Sequence, residues 1–224
     1  MKNPKGTFDA ISPSTKIGRN TKVGLYSIIG DPGTKKRPVE IGNNCIVGNH
    51  VTIRPGVKIG NDVVIRDYSY IDENARIGNS VSIDPYSHIG ENAIIGDNTL
   101  ILYGAKIFDN TKIGKNSKIG GFVAENTTVG DFVTVFGKLI HSYRDPTHWA
   151  GGEEPPKINN FVIIGFDATI IGDISIGHHV YIAAGAIVTK DVPPNSVVYG
   201  VNNIVPFKSW KGKLKSSPFW RWKD

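Results

Sequence analysis

Isoleucine and valine recur along this chain with a period of six residues. Of the nineteen positions taken at every sixth residue from Ile11 to Ile119, only Lys35 is neither Ile nor Val. The residue four places after each is small or β-branched, with Gly33 as the exception. An α-helix cannot keep one face at this period, because 3.6 residues per turn rotate successive positions around its axis. Short strands joined by tight corners can, with both positions pointing inward.

The corners of such a structure need residues that tolerate a left-handed backbone. The third residue after the aliphatic position supplies them, as Asn20, Asn44, Gly56, Asp62, Asn74, Asn92, Asn98, Gly104, Asn110 and Asn116. The pattern therefore predicts an all-β fold, a parallel β-helix of hexapeptide rungs with three rungs to a coil. A sandwich of short strands would not keep this register over the whole segment.

Three interruptions break the period, and a solenoid accepts insertions only where a loop can leave the stack. Residues 31–40 are predicted to form a polar loop that leaves the wall and returns at Ile41. Near Gly120 and Gly121 the register slips by two residues. Over residues 137–157 the repeat stops, and it restarts at Ile158. This long loop carries two histidines, three acidic residues, a tyrosine and a tryptophan, a composition that favours function over a disordered linker.

Charge is concentrated at the end of the chain. The net charge is +6, and residues 206–224 hold six basic residues against Asp224 alone. A duplex-binding surface would need a basic stripe along the fold, so no nucleic-acid partner is expected. The tail is expected to make a local anionic contact or to be solvated, and its apolar residues are expected to cover the open end of the coil stack.

The sequence shows neither a membrane-spanning segment nor a secretory signal. No apolar run reaches the length of a membrane span and no signal segment follows Met1, so the expectation is a cytoplasmic protein. The single cysteine, Cys45, excludes an intramolecular disulfide and a zinc knuckle.

One motif repeats through the chain as [LIV]-G-x-x-[STAV]-x, for example in residues 17–22, IGRNTK. It resembles the repeat of the hexapeptide-repeat acyltransferases, and this resemblance, not the period, implies a left-handed β-helix. The predicted organisation is a β-helix domain over residues 1–205, with the 137–157 insertion, followed by the basic aromatic tail 206–224.

The C-terminal block sharpens the resemblance. The segment AGAIVTKDVPPNSVV, residues 184–198, resembles the closing coils of the galactoside, maltose, serine and xenobiotic acetyltransferases. In those relatives a loop just before these coils brings a histidine to the active site, and His141 stands in the corresponding place. Two departures bear on the acceptor: Ser142 follows the histidine where proline is usual, and Asn202 stands where the usual motif ends in proline.

The resemblance implies acetyl-CoA as the co-substrate and no metal. It implies that Gly165, Ala183 and Ala184 contact coenzyme A and that Thr189 and Lys190 lie nearer its phosphates. Ordinary turn chemistry is the alternative explanation for each of these residues.

Six histidines are candidates for the general base that acetyl transfer needs. His50 and His179 occupy corner positions, while His88 and His178 are expected to face outward. The remaining two are His141 and His148, and Asp145 lies near enough in sequence to orient the imidazole of His141. We therefore predict His141 and Asp145 as the catalytic pair, with His148 or a substrate-borne base as the alternative.

The expected reaction transfers an acetyl group to a hydroxyl or amino group of a sugar or nucleotide-sugar, as in surface-polysaccharide synthesis. Active sites of the resembling family form between neighbouring β-helices, which implies a homotrimer. Two other classes remain open: a zinc protein resembling the β-helical carbonic anhydrases, and a non-catalytic scaffold.

Overall fold

The protein is a three-faced parallel β-helix with a left-handed coil, seen in a computed structural model that describes residues 10–31, 37–142 and 154–211. Strands of two to four residues alternate with corners, and every third strand joins the same sheet, apart from the last two strands, which both join the same sheet. The three sheets are called face 1, face 2 and face 3, and the 1–2, 2–3 and 3–1 edges are the corners that join them. The predicted fold class is thus confirmed.

The described residues form thirty strands. Face 1 has ten of them: β1 (Ala10–Ile11), β4 (Ile28–Ile29), β7 (Thr52–Ile53), β10 (Tyr70–Ile71), β13 (His88–Ile89), β16 (Lys106–Ile107), β19 (Phe122–Val123), β22 (Lys138–Ile140), β25 (Thr169–Ile171) and β28 (Ile187–Val188). Face 2 has nine: β2 (Lys16–Ile17), β5 (Glu40–Ile41), β8 (Lys58–Ile59), β11 (Arg76–Ile77), β14 (Ile94–Ile95), β17 (Lys112–Ile113), β20 (Thr128–Val129), β23 (Lys157–Ile158) and β26 (Ser175–Ile176). Face 3 has eleven: β3 (Lys22–Val23), β6 (Ile46–Val47), β9 (Val64–Ile65), β12 (Ser82–Ile83), β15 (Leu100–Ile101), β18 (Lys118–Ile119), β21 (Thr134–Val135), β24 (Ile163–Ile164), β27 (Tyr181–Ile182), β29 (Ser196–Tyr199) and β30 (Asn203–Pro206).

The core is the stack of inward-pointing aliphatic residues that the period predicts. Ile53, Ile71 and Ile89 are partners in successive coils of face 1, and each is fully buried. The small residues four places later, such as Val57 and Ala75, are buried as well. Aliphatic side chains from three faces fill the interior, and most of the buried Ser and Thr hydroxyls at the corners donate to backbone carbonyls, so burial stabilises the stack coil by coil.

Corner residues adopt the left-handed backbone that the sequence predicts. All ten residues named for this role have positive φ, and so do His50 (φ 54°) and His179 (φ 55°). We count corner positions from the inward aliphatic residue, so that these residues occupy corner position three.

Two coils are shortened at the 3–1 edge, which confirms the predicted two-residue slip. Ile107 pairs with Val123, sixteen residues later, and Val123 pairs with Leu139. Each short corner contains a glycine that no other residue could replace: a Cβ on Gly121 would overlap the carbonyl oxygen of Gly137.

The second shortening changes where the long insertion begins. The sequence predicts that the repeat stops at Gly137, but β22 continues face 1 and Leu139 is fully buried. The spacing of four residues between Val135 and Leu139 hides this strand from a six-residue search. The chain therefore leaves the coil after Ile140 and rejoins it at β23, and residues 143–153 lie outside the described part.

The first interruption leaves at the same edge. Residues 32–36, including Lys35, lie outside the described part, while Ile17 pairs with Ile41 as the predicted return requires. Both excursions thus depart from the 1–2 edge.

The last strands turn back on face 3. β30 pairs antiparallel with β29, and a 3-10 helix follows at Phe207–Ser209. Trp210 packs on Tyr199 with ring centroids 5.4 Å apart, and Ile204 packs on the core. The rest of the tail, residues 212–224, lies outside the described part, so its capping role stays a prediction. Within the described ranges, no helix is long and apolar enough to cross a membrane.

Candidate functional site

His141 lies at corner position two of the 1–2 edge, directly after β22. Its side chain is 6% exposed, although it stands at a corner where most neighbours face solvent. The short coil beneath places Glu125 at the same corner position, because Val123 pairs with Leu139. Nε2 of His141 is 3.6 Å from Oε1 of Glu125. A shift of about half an ångström would bring this pair to hydrogen-bond distance.

The sequence does not predict the pairing with Glu125, because it points to Asp145 as the orienting acid. Asp145 lies outside the described residues, so its role stays a prediction. Glu125 precedes His141 by sixteen residues, the length of one shortened coil. Applying the two-residue slip once more would have brought the two side chains together.

The column of residues through His141 runs along the 1–2 edge. By register, Asp109 and Glu125 lie beneath it, and Gly172 and Lys190 above it. Neighbouring strands are separated by about 4.8 Å, so Lys190 is roughly 10 Å from His141 along the helix axis. Gly172 has a positive φ of 86° and leaves room for Ser142, since a Cβ there would come within 3.3 Å of the Ser142 Cβ.

A groove of about 440 Å³ lies on the same edge, beneath the histidine. Its lining residues are Asn92, Asn110, Lys112, Asn126 and Thr128. Asn126 directly follows Glu125, so the groove adjoins the His141–Glu125 pair. Nδ2 of Asn92 donates to Oδ1 of Asn110 at 3.2 Å. Amide groups and one ammonium give this groove the donors and acceptors that a polyhydroxylated ligand needs.

Three of the predicted coenzyme contacts lie together at the 3–1 edge. A Cβ on Gly165 would stand 2.6 Å from the backbone nitrogen of Ala184, so only glycine lets these two coils approach. The amide of Ala183 donates to Val198 at 2.8 Å. Beside them, Phe166 is 69% exposed and stacks on Phe136. Small side chains next to an exposed aromatic ring give a narrow surface on which a flat or extended ligand can lie.

The other two predicted contacts lie at the 1–2 edge, across face 1 from the first three. The amide of Thr189 donates to Oδ1 of Asn202 at 2.9 Å, and Nδ2 of Asn202 donates to the Thr189 hydroxyl at 2.8 Å. Lys190 is exposed. The structure therefore does not gather the five residues at one point: β28 separates the two groups, and Thr189 is engaged in holding the last coils together.

The other histidines are placed as the sequence suggests. His50 stacks between Tyr26 and Tyr68, and His88 stacks on Tyr70 on the outer side of face 1. His148 lies outside the described residues. In the described ranges, no three His, Cys, Asp or Glu side chains cluster in a way that could hold a metal ion.

Comparison with known proteins matches the repeats to one family model. Residues 38–73 and 74–108 match the bacterial transferase hexapeptide family, a model of six repeats.

Among curated relatives, the serine acetyltransferase of Mycobacterium tuberculosis is 38% identical over 82 residues, 37% of this chain and 34% of the relative. That of Synechococcus elongatus is 31% identical over 91 residues, 41% of this chain and 36% of the relative. The matched segments thus span about a third of these relatives' length. Among solved structures, LpxA of Bacteroides fragilis, a UDP-N-acetylglucosamine acyltransferase, covers 92% of this chain and 73% of its own at 20% identity, with a TM-score of 0.45.

Proposed function

We propose that this hexapeptide-repeat protein is an acetyltransferase that uses acetyl-CoA and acts on a hydroxyl or amino group of a sugar or nucleotide-sugar. The observation that carries the proposal is the buried His141 beside Glu125, at the edge where the chain leaves the coil and next to a groove of about 440 Å³. Relatives named serine acetyltransferases support acetyl transfer as the reaction class.

In the proposed mechanism His141 is the general base. Glu125 holds a proton on Nε2, the nitrogen that faces it, so Nδ1 is the atom that takes the proton of the acceptor. The acceptor oxygen or nitrogen then attacks the thioester carbonyl carbon. The carbon–sulfur bond breaks, and the imidazolium returns the proton to the coenzyme A thiolate. The acetyl group ends on the acceptor, and His141 is regenerated.

The acceptor is assigned to the groove at the 1–2 edge. Its amides and Lys112 suit a ligand with several hydroxyls, and the ammonium suits a phosphate group. A serine molecule would fill only a small part of such a volume. L-Serine is nevertheless the second candidate, because the curated relatives that match are serine acetyltransferases.

Coenzyme A is assigned to a position between two subunits, where Gly165, Ala183 and Ala184 at the 3–1 edge of one subunit face the 1–2 edge of its neighbour, with Lys190 of that 1–2 edge against the phosphates. The small side chains at this corner let a pantetheine approach the backbone closely, and Phe166 offers a ring face beside them. In this proposal a neighbouring subunit completes the site, which requires the predicted homotrimer. Sedimentation tests that arrangement: an active monomer at micromolar concentration would contradict it. The predicted cytoplasmic location and the role in surface-polysaccharide synthesis stay predictions.

A mass-spectrometric screen tests the function directly. The protein is incubated with acetyl-CoA and, separately, with nucleotide-linked sugars, free amino sugars and L-serine, and each product is examined for the addition of one acetyl group. We expect a nucleotide-linked sugar to be modified and L-serine to remain unmodified. Acetylation of L-serine alone would replace the acceptor assignment while keeping the reaction.

Two controls separate the remaining classes. Lack of any affinity for coenzyme A in calorimetry would favour a non-catalytic scaffold. Stoichiometric zinc by elemental analysis, together with carbon dioxide hydration, would favour the alternative that resembles β-helical carbonic anhydrases. Substituting Lys112→Gln should raise the KM for the acceptor, whereas Lys118→Gln, at the equivalent outward position on face 3 of the same coil, should not.

A further inference from the structure

The 2–3 edge carries a pair of histidines that the proposed reaction does not use. His178 and His179 follow β26 at corner positions two and three, whereas His141 lies on the 1–2 edge. Nδ1 of His178 and Nδ1 of His179 are 2.8 Å apart, and the two rings are nearly perpendicular, at 88°. His178 is exposed and His179 is half-buried, so an ion from solvent can reach both nitrogens.

Contacts on both sides hold the His179 ring and the backbone of both residues in place. The ring of His179 stacks on Phe161 at 4.8 Å, and Phe161 stacks on Phe132 at 5.1 Å. The amide of His179 donates to Asn160 O at 3.3 Å, and Asn195 N donates to His178 O at 3.0 Å. The pair is thus ordered by the coils beneath and above it, which lowers the entropy cost of bringing two nitrogens to one ligand.

Two Nδ1 atoms at this distance must have one proton between them, because two lone pairs would repel each other. The ring that carries that proton on Nδ1 can move it to Nε2 through solvent. With both rings neutral, the two Nδ1 lone pairs then oppose each other across 2.8 Å, and a rotation of the exposed His178 ring turns both toward one point beside that line. Neutral imidazole nitrogens in this arrangement are ligands for a divalent transition metal.

The separation of the two nitrogens selects the coordination geometry. With metal–nitrogen bonds of about 2.05 Å, a spacing of 2.8 Å gives an angle of about 85° at the metal. A square-planar ion needs an angle near 90°, whereas a tetrahedral zinc site would need the nitrogens roughly 3.3 Å apart. Cu²⁺ and Ni²⁺ favour the square-planar arrangement, and Cu²⁺ binds nitrogen ligands more tightly than the other divalent ions of the series.

We propose that His178 and His179 form a chelating site for one Cu²⁺ or Ni²⁺ ion per chain, bound through the two Nδ1 atoms. Since the described residues supply no third His, Cys, Asp or Glu at this place, water completes the coordination. The site lies on a different edge from His141 and does not depend on the proposed acetyl transfer.

The test uses the full-length chain, freed of metal with a chelator and titrated with Cu²⁺ in the presence of excess glycine as a competitor. We expect one tightly bound Cu²⁺ per chain, with an electron paramagnetic resonance spectrum that shows coupling to two nitrogens. His178→Gln and His179→Asn should each weaken binding by about tenfold or more, because a chelate becomes a single-nitrogen contact. Binding should also fall on acidification, since only neutral imidazole ligates a metal.

The matched control is His50→Asn, which changes a histidine with the same left-handed backbone and the same kind of aromatic stack but no histidine beside it. Asparagine is already frequent at these corners, so both His→Asn variants should keep the fold, as circular dichroism can verify. Wild-type affinity in His178→Gln and His179→Asn would overturn the proposal. Zn²⁺ binding as tight as that of Cu²⁺ would overturn the square-planar assignment.

Discussion

The 2–3 edge and the 1–2 edge of this β-helix are built from the same repeat but differ in how their corners are closed. At the 2–3 edge, the side chain at corner position two accepts a hydrogen bond from the backbone amide at the same position one coil below. This ladder links Asn61 to Asn43, Asn79 to Asn61, Asp97 to Asn79, Asp131 to Lys115 and Asn160 to Asp131, at 2.6–2.9 Å.

At the 1–2 edge the same position holds Glu73, Glu91, Asp109, Glu125 and His141 in successive coils. In the described part of this column, a hydrogen bond between a side chain and the backbone amide one coil below is made by Asp109, whose Oδ1 accepts from Glu91 N at 2.9 Å. Both excursions leave the coil at this edge, and the groove lies on it. A ladder of short Asn and Asp side chains holds the coils in register on the 2–3 edge. Longer side chains replace it on the 1–2 edge, where Glu73 pairs with two arginines and Glu125 lies beside His141.

The strongest test of this contrast is His141→Asn. Loss of the proposed base should lower kcat by roughly 10² to 10⁴ while leaving the affinity for coenzyme A within a few-fold. His50→Asn, on the 3–1 edge, is the control and should keep wild-type turnover. If His141→Asn retained more than about a third of wild-type kcat, the 1–2 edge would not be the catalytic edge.

The next effect in size is expected at Glu125, which we place as the residue that orients His141. Glu125→Gln should lower kcat by about 10- to 100-fold, with little change in the KM for acetyl-CoA, and Glu125→Asp should restore part of the loss. Glu91→Gln removes a carboxylate from the same column two coils below and should have no effect on kcat. A similar rise in KM for both variants would mean that the column acts only through its charge.

The sequence predicts this fold well because the fold is local and periodic. The six-residue period gives the inward residues, and Asn, Asp and Gly give the corners, without any knowledge of distant contacts. Even the slip at Gly120 and Gly121 can be read from the position of Val123. The second slip was missed, because Val135 and Leu139 are followed by no further repeat that would reveal the new register.

The site is less accessible to sequence because it depends on which coil lies above which. The sequence favours Asp145 because it lies near His141 in the chain, whereas Glu125 is brought close by one coil of the helix. The five predicted coenzyme contacts come from the resemblance to known acetyltransferases. That resemblance does not show that strand β28 of face 1 lies between Ala184 and Thr189. The hydrogen bonds of Asn202 to Thr189 depend on how the last strands fold back, which no period encodes.

One buried hydroxyl group at each edge extends the comparison to the inner side of the coil, although Thr111 at the 1–2 edge is paired, to Ala124 O at 3.1 Å. At the 2–3 edge, Oγ1 of Thr99 donates to Gly114 O at 2.9 Å and accepts from Ser117 N at 3.2 Å. At the 1–2 edge, Oγ1 of Thr127 is buried and has no hydrogen-bond partner among residues 10–31, 37–142 and 154–211. Thr99→Val should therefore lower the free energy of unfolding by about 2 kcal/mol, because it leaves an amide and a carbonyl unpaired.

Thr127→Val should instead raise the free energy of unfolding by up to about 1 kcal/mol, since it replaces an unpaired buried hydroxyl with a methyl group of the same size. The denaturant midpoints of the two variants test the predicted decrease and the predicted increase in the free energy of unfolding side by side. Equal destabilisation by both substitutions would mean that the inner sides of the two edges are alike.

The smallest effect is expected on the outer side of the 2–3 edge. Oδ1 of Asp97 accepts from Asn79 N at 2.6 Å, whereas Glu91 on the 1–2 edge makes no such contact to the coil below. Asp97→Ala should lower the free energy of unfolding by about 1 kcal/mol, the usual value for an exposed side chain that accepts a hydrogen bond from a backbone amide. Glu91→Ala, at the same corner position, should stay within about 0.5 kcal/mol of the wild type. The two variants remove one carboxylate each, so salt and net charge act on both alike, and a difference in their denaturant midpoints measures the ladder itself. If the midpoints coincide, the ladder of Asn and Asp side chains reflects turn preference at single corners and does not bind one coil to the next.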